Sequence, residues 1–302
     1  MKNFIKKVAT GPKGNEDLSF EESQMAMEYL LSKNISDVEK ASFLVGWRLK
    51  PETIEEFRGA LSVILNKTKK QPIANSFELG FPFDGKNDSP YLFPITAKIL
   101  SRVGVNLVVT GDDLIPAKDG VTTKMLHLEL LKRGKQQYYN YFDRSEYLTD
   151  FSNLTEVRNL IGLRTALNTL EKISLVGESQ FGATGVFHKP YVEKYASIFE
   201  DRLSRFLLVS GNEGAPEVAK KSKYWIVANG LREEFLVDPQ EFGIDPINRD
   251  NGYSINDHLV LAEDPPENIW NLACLNAALY LFVMKPESSL VDNFQFLKGR
   301  CK

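Results

Sequence analysis

The chain has 302 residues, of which 43% are hydrophobic and 25% charged, and its formal net charge is −3. These values predict a globular protein of one large or two ordinary domains, and they exclude a global electrostatic attraction to nucleic acid or to an anionic membrane. Cys274 and Cys301 alone do not indicate a disulfide framework, the N-terminus lacks the apolar segment of a secretory signal, and no apolar run reaches the roughly 18 residues of a membrane span. We therefore expect a cytoplasmic protein with no membrane partner.

The N-terminal part of the chain carries three helix-start signals. In each, a serine or threonine precedes a glutamate by three positions, which is the spacing of a capping box; the pairs are Ser19 with Glu22, Ser36 with Glu39, and Thr53 with Glu56. Apolar residues follow each pair at spacings of three and four, which places them on one helix face. The pattern predicts a helical domain over residues 1–65, completed by later helices.

Residues 65–72 are rich in lysine and contain proline, which is typical of a hinge or linker. From residue 72 to 302 the pattern alternates between strands and helices. Residues 76–85 are predicted to be a strand that runs into a loop. The other predicted strands are 105–111, 183–188 and 205–211, with a β-hairpin over 224–230 and 233–239. The predicted helices are 94–104, 122–134, 158–173, 191–203 and 268–283. The predicted fold class is α/β with a small all-helical domain. The central sheet of the α/β part is expected to be mostly parallel and flanked by helices.

Several segments resemble one known family in order and spacing. Besides the capped helices, they are IGLRTALNTLEKI from residue 161, LLVSGNEGAPE from residue 207, EFLVDPQEFGI from residue 234, and LNAALYLF from residue 275. Together they resemble anthranilate phosphoribosyltransferases and their nucleoside-phosphorylase relatives over nearly the whole chain, with an apparent deletion around 246–266. The resemblance implies a nucleoside phosphorylase/phosphoribosyltransferase-like fold, a cleft between the two domains, and a homodimer formed by the helical domains, whose apolar stripes would meet the second copy.

The phosphate-binding loops depart from the family pattern. Active members use a GTGGD loop, whose backbone N–H groups bind the pyrophosphate of phosphoribosyl pyrophosphate. Here the loop is GFPFDG, in which Pro82 has no N–H group and two phenylalanines fill space. The family's KHGNRS loop becomes VTGDD, with acidic residues where a cation is expected. The resemblance implies phosphate- or ligand-binding roles for Gly80, Asp84, Gly85 and Gly111 in an eroded site; the alternative is a turn with an exposed Asp84–Gly85.

The metal and acceptor positions are also altered. The family's acidic magnesium-binding pair corresponds to Pro216 and Glu217, so Glu217 is the one remaining metal ligand, and a Mg²⁺ site is weakened without being abolished. Arg158 matches a position that binds the acceptor carboxylate, although a structural role fits equally well. Arg164 is expected to be structural. The three histidines, His127, His188 and His258 (the last in a polar loop), lack the spacing of metal ligands.

Two runs of basic residues lie next to aromatic residues, a combination that binds single-stranded nucleic acid. They are Lys132, Arg133 and Lys135, and Lys220, Lys221 and Lys223. The alternative for each run is a solvated loop followed by a buried strand. The helix ending NTLEKI and the NEG start of the acidic loop resemble a divergent TrpD-like branch that binds nucleic acid.

The sequence therefore predicts an anthranilate phosphoribosyltransferase-like protein that binds nucleic acid or nucleotides rather than making phosphoribosyl-anthranilate. One alternative is an active pentosyltransferase that uses phosphoribosyl pyrophosphate with another acceptor, through Asp84, Arg158 and Glu217. A third is a scaffold dimer that binds only protein.

Overall fold

The computed structural model describes residues 1–113, 115, 120–247 and 252–300. Cys301 and part of the apparent deletion lie outside the described residues. No helix within these ranges is long and apolar enough to cross a membrane.

Four helices open the chain: α1 (Lys2–Ala9), α2 (Phe20–Leu31), α3 (Asp37–Leu49) and α4 (Ile54–Lys67). The predicted capping boxes of α2 and α4 are confirmed in both halves, whereas at α3 the Ser36 hydroxyl accepts from the Glu39 N–H without the reciprocal backbone bond. Glu56 is fully buried and has a second role, because it accepts hydrogen bonds from the Leu18 N–H and the Trp47 indole and pairs with Lys50 at 2.9 Å.

The α/β domain continues with β1 (Ser76–Gly80), α5 (Phe93–Ser101), β2 (Asn106–Gly111), α6 (Thr123–Lys132) and β3 (Tyr139–Asp143). Four short helices follow, α7 (Arg144–Tyr147), α8 (Thr149–Ser152), α9 (Thr155–Ile161) and α10 (Leu167–Leu170). The chain then forms β4 (Phe181–Val186), α11 (Pro190–Phe199), β5 (Arg205–Ser210), β6 (Ser222–Ala228), β7 (Leu231–Val237), α12 (Ile255–Glu263), α13 (Glu267–Met284) and α14 (Leu290–Arg300).

The seven strands form one sheet in the order β3-β2-β1-β4-β5-β6-β7. Strands β1 to β5 are parallel, while β6 and β7 are antiparallel and form the predicted hairpin. Its turn residues Asn229 and Gly230 both have positive φ angles, the conformation that a tight hairpin turn requires. The chain runs from β1 to β2 on one side and returns to β4 on the other, so the order reverses at β1. Ligands of such sheets bind at the carboxyl ends of the strands at this reversal.

The helical domain packs against one face of the sheet. Alternate residues of each strand face opposite sides, so Leu207 and Val209 join the core formed with α5 and α13, while Phe206 and Leu208 join Trp47 and Phe57 of the helical domain. The apolar stripes expected to face a second copy are therefore buried within the chain. Of these stripes, Leu49 is exposed, at 74%.

Two other expectations were wrong. Residues 158–173 do not form one helix, because α9 ends at Gly162 with φ +67°, and Arg164 lies in the loop that follows. His258 lies in α12, fully buried, where its Nδ1 accepts from the Tyr91 N–H. Strand β3 is not among the predicted strands, but it agrees with the alternative for the first basic run, a loop followed by a strand.

Candidate functional site

The loop after β1 begins at the carboxyl edge of the sheet, at the reversal of strand order. Gly80 ends the strand in a tight place, since a Cβ there would lie 2.8 Å from the Lys172 carbonyl oxygen. Phe81 and Phe83 are buried, so their rings occupy the interior of the loop. The backbone path of the loop is thereby fixed by apolar packing.

Asp84 is fully buried, which contradicts the alternative of an exposed Asp84–Gly85 turn. Its carboxylate pairs with the guanidinium of Arg164, whose side chain is 40% exposed. The carbonyl of Arg164 in turn accepts a hydrogen bond from Arg48 of α3. The loop after β1 is thus tied through Arg164 to the helical domain.

Gly85 lies directly against Gly120 in the segment after β2. Gly85 has φ +78°, and a Cβ on it would come within 2.6 Å of the Gly120 backbone. One residue further, Lys86 and Val121 form an antiparallel bridge. The segment before α6 therefore crosses the loop after β1 and covers Lys86.

Glu217, the residue assigned to metal binding, is buried beside Lys86. The Lys86 ammonium lies 2.8 Å from Glu217 Oε2 and also donates to the Pro90 carbonyl at 2.9 Å. The second oxygen, Oε1, accepts from the Leu92 N–H at 2.9 Å. Both carboxylate oxygens are engaged by protein donors.

Arg158 is buried and binds the carboxylate of Glu171 in a bidentate fork, at 2.6 and 3.0 Å. The same carboxylate accepts from Arg144 at 2.5 Å, and Arg144 also donates to Asp112 at 2.7 Å. Burial raises the pKa of Glu171, but Arg158 and Arg144 outweigh this effect and leave the pKa below its usual value. Arg158 therefore uses both of these N–H donors to bind Glu171 of the same protein.

This charged network is contiguous with the loop after β1. The guanidinium of Arg144 lies 4.5 Å from the ring centre of Phe83 and 4.5 Å from that of Phe151. Gly111 immediately precedes Asp112 at the end of β2. The structure thus brings together the candidates Gly80, Asp84, Gly85, Gly111, Arg158 and Glu217.

Four charged residues at this edge were missed by the sequence analysis: Lys86, Arg144, Glu171 and Lys172. The NTLEKI segment, which contains Glu171 and Lys172 and resembles the divergent branch, was the available signal. The Lys172 ammonium donates to the carbonyls of Gly185 and Gly214, at 2.8 and 3.0 Å. Burial lowers the pKa of Lys172 to about 7.

The predicted basic runs are not part of this charged network, and five of their six residues pair with other carboxylates. Lys132 pairs with Glu129, Arg133 and Lys135 with Glu263, Lys221 with Asp238, and Lys223 with Glu234. The neighbouring Tyr139, Tyr224 and Trp225 are buried. The first run precedes the amino end of β3. The second run lies at the start of β6, with Lys223 inside that strand, beside the carboxyl end of β5, so the two runs lie at opposite edges of the sheet.

Comparison with known proteins agrees with this architecture. Residues 2–68 match the family model described as "Glycosyl transferase family, helical bundle domain". An anthranilate phosphoribosyltransferase of Pelagibacter ubique is 24% identical over 97% of this chain and 93% of its own length. An uncharacterized protein of Aquifex aeolicus is 28% identical over 76% of this chain and 74% of its own length.

Solved structures share the whole fold. Anthranilate phosphoribosyltransferase (TrpD) from Thermus thermophilus has a TM-score of 0.75 at 17% identity, covering 98% of this chain and 93% of that one. The Saccharomyces cerevisiae enzyme in complex with PRPP (phosphoribosyl pyrophosphate) and Mg has a TM-score of 0.75 at 14% identity, covering 98% and 92%. The chain thus has the fold of these structures, with an N-terminal helical bundle that matches the glycosyl transferase family model. More narrowly, the fold is TrpD-like, and the sequence is similar to those of anthranilate phosphoribosyltransferases.

Proposed function

We propose that this protein keeps the TrpD-like scaffold without transferring a phosphoribosyl group to anthranilate, and that it acts by binding nucleic acid or nucleotides. The observation that carries the loss of transfer is a cluster of mutually paired charges at the carboxyl edge of the sheet. We call it the paired-charge cluster; its cations are Lys86, Arg144, Arg158 and Arg164, and its carboxylates are Asp84, Asp112, Glu171 and Glu217.

The paired-charge cluster opposes the binding of a polyphosphate. Each of its four cations is already paired with a carboxylate, so an added anion has to compete with these pairs. Phosphoribosyl pyrophosphate would have to separate pairs such as Arg158 with Glu171, and leaving one partner of a buried pair alone costs about 3–5 kcal/mol. The loop after β1 adds to this barrier because Pro82 offers no N–H group and Phe83 fills the interior.

The residues at Glu217 do not fit the magnesium ion that the fold family implies. Glu217 already accepts from Lys86 and Leu92, and the other position of the acidic pair is Pro216, whose side chain cannot ligate a metal. Within the described ranges, no three His, Cys, Asp or Glu side chains gather as a metal site.

An enzymatic assay tests the loss of transfer. Purified protein with anthranilate, phosphoribosyl pyrophosphate and Mg²⁺ should form no phosphoribosyl-anthranilate, and the same ligands should leave its thermal melting curve unchanged. Stabilisation near 2.7 kcal/mol, the value for a ligand at about a hundred times its Kd, would contradict the proposal. Such stabilisation would favour the alternative of a transferase with another acceptor. Arg164 supports this alternative, because its side chain is half-exposed and its ion pair with Asp84 can open to solvent.

The binding function rests on exposed cations. Lys132, Lys221 and Lys223 have side-chain exposures of 70%, 59% and 54%. Exposed ion pairs contribute only about 0–1 kcal/mol, so a nucleic-acid phosphate can replace their carboxylate partners at little cost. Each run also has three cations against two carboxylates, which leaves one positive charge in excess.

A fluorescent single-stranded oligonucleotide, titrated at low and near-physiological salt, tests this function. We expect binding that weakens steeply with salt, and a smaller salt dependence when Lys132, Arg133 and Lys135, or Lys220, Lys221 and Lys223, are changed to glutamate. The matched control changes the exposed Lys2, Lys6 and Lys13 to glutamate, which alters the net charge equally. Absence of binding at low salt, or equal losses in all three variants, would contradict the proposed binding surfaces.

We also propose that the protein forms a homodimer through its helical domain. The support is that Met25 and Tyr29 of α2 are 49% and 43% exposed beside a surface cavity of about 490 Å³. Light scattering should report a dimer, and Met25→Lys should weaken it. A monomer at all concentrations would contradict this assembly.

A further inference from the structure

Lys86 is a lysine whose charge is enclosed by protein. The side chain is fully buried, and its ammonium contacts Glu217 Oε2, the Pro90 carbonyl and the face of Tyr91, whose ring centre is 4.9 Å away. The carbonyl of Val121, paired with Lys86 in the bridge, also accepts a hydrogen bond from the Tyr91 hydroxyl at 2.9 Å. A lysine is almost never buried to this extent unless a carboxylate compensates its charge.

The acidic side chains around it are likewise engaged by protein. Glu213 accepts from the N–H groups of Asn87 and Asp88, at 2.8 and 3.0 Å, and from the Ser89 hydroxyl. Glu217 accepts from Lys86 and from the Leu92 N–H. Two glutamates of the segment after β5 thus hold residues 86–92 of the segment after β1.

We infer that Lys86 is a built-in cation that takes the role of a divalent metal at Glu217, and that this edge of the sheet is independent of Mg²⁺. The inference deepens the proposed function, since Lys86 compensates the charge of the buried Glu217 carboxylate without a metal–substrate complex. One ammonium balances one carboxylate. A magnesium ion added beside Lys86 would place three positive charges against Glu217.

The ion pair between Lys86 and Glu217 joins two loops at the carboxyl edge of the sheet. Lys86 follows β1 and Glu217 follows β5, and β4 lies between these two strands. The ion pair therefore spans the end of β4 and fixes two loops that would need to separate for a metal and a polyphosphate to enter. Lys86 is a positioning residue in this account.

A double-mutant cycle tests the pair. Lys86→Met and Glu217→Gln should each lower the melting temperature by several degrees, because each leaves a buried charge or its hydrogen-bond partner alone, whereas the double variant should recover more than half of the loss. The amide introduced by Glu217→Gln keeps an oxygen for the Leu92 N–H, so the backbone contact is preserved. Losses that simply add in the double variant would overturn the inference.

Metal titration supplies an independent readout on the unmodified protein. Millimolar Mg²⁺ without phosphoribosyl pyrophosphate should leave the wild-type melting temperature unchanged, and Mn²⁺ followed by electron paramagnetic resonance should show no tight binding. A metal-dependent rise, or tight Mn²⁺ binding, that Glu217→Gln abolishes would overturn the inference. Because no substrate is present, this result is separate from the transfer assay: transfer activity could be found while Glu217 still binds no metal.

Discussion

Glu171→Gln is the most direct test of the paired-charge cluster. The substitution keeps the size of the side chain and removes one negative charge between Arg144 and Arg158, which donate to it at 2.5, 2.6 and 3.0 Å. Both guanidinium groups are buried, so neither can turn into water to recover its solvation. The variant leaves an uncompensated positive charge inside the protein.

The magnitude follows from the two interactions lost. At about 4 Å and an effective dielectric constant near 20, each charge pair contributes about 4 kcal/mol. The amide oxygen of the variant can still accept a hydrogen bond, and Asp112 still faces Arg144, so the net loss is smaller than the sum of the two pairs. We expect the free energy of unfolding to fall by about 3–5 kcal/mol, the range for removing one partner of a buried pair.

Urea unfolding followed by circular dichroism at neutral pH measures this loss. Glu146→Gln is the matched control, because Glu146 is exposed nearby, and such surface changes stay within about 0.5 kcal/mol. The pKa of Glu171 is below its usual 4.5, so its stabilisation is complete above that pH and is lost as the pH falls through the lowered pKa. The difference between wild type and variant should therefore narrow in acid. A loss below about 1 kcal/mol at neutral pH would refute the reasoning.

Three further predictions concern single residues. The pKa of Lys172 is about 7 in the folded protein, against an ordinary value of 10.5, so burying its charge destabilises the fold fully below pH 7 and progressively less towards pH 10.5. From pH 7 to 9 the free energy of unfolding of the wild type should therefore rise by roughly 2 kcal/mol relative to that of Lys172→Met. Parallel pH profiles of the two proteins would contradict this prediction. Gly85→Ala should cost about 2–4 kcal/mol by denaturant unfolding, from the left-handed backbone and the clash with Gly120. Gly104→Ala is the control, because Gly104 has φ +76° with open space around it, and this substitution should lower stability less. Equal losses of stability in the two variants would show that the clash with Gly120 does not contribute. Thr53→Ala should lower stability by about 1 kcal/mol in the same assay through loss of the α4 cap, and an unchanged midpoint would show that the cap is dispensable.

Features set by neighbouring residues were predictable from the sequence. The boxes at Ser19 and Thr53 involve residues three apart, and the hairpin turn at Gly230 is a local conformational requirement. The single helix expected over 158–173 was wrong because Gly162 takes a left-handed conformation that ends α9, which the apolar periodicity alone did not indicate.

The charge pairing at the site could not be predicted in the same way. The departure of the loop after β1 from the family pattern is visible in the residues themselves, including Pro82. The partner of each charged residue is not visible in the sequence, because Arg164 and Asp84 are 80 positions apart and Lys86 and Glu217 are 131 positions apart. Only the topology of the sheet, which brings the ends of β1, β4 and β5 together, decides these pairs.

The crossing of the loops at Gly85 and Lys86 has a consequence for how the chain can change. Restoring one feature of the family pattern, for example an aspartate in place of Pro216, would add a carboxylate beside Glu217, whose charge Lys86 already compensates. Each such reversal therefore costs stability unless a distant partner changes with it. Single substitutions that restore the family pattern at this site are therefore disfavoured, and Lys86 and Glu217 should be kept or lost together among relatives.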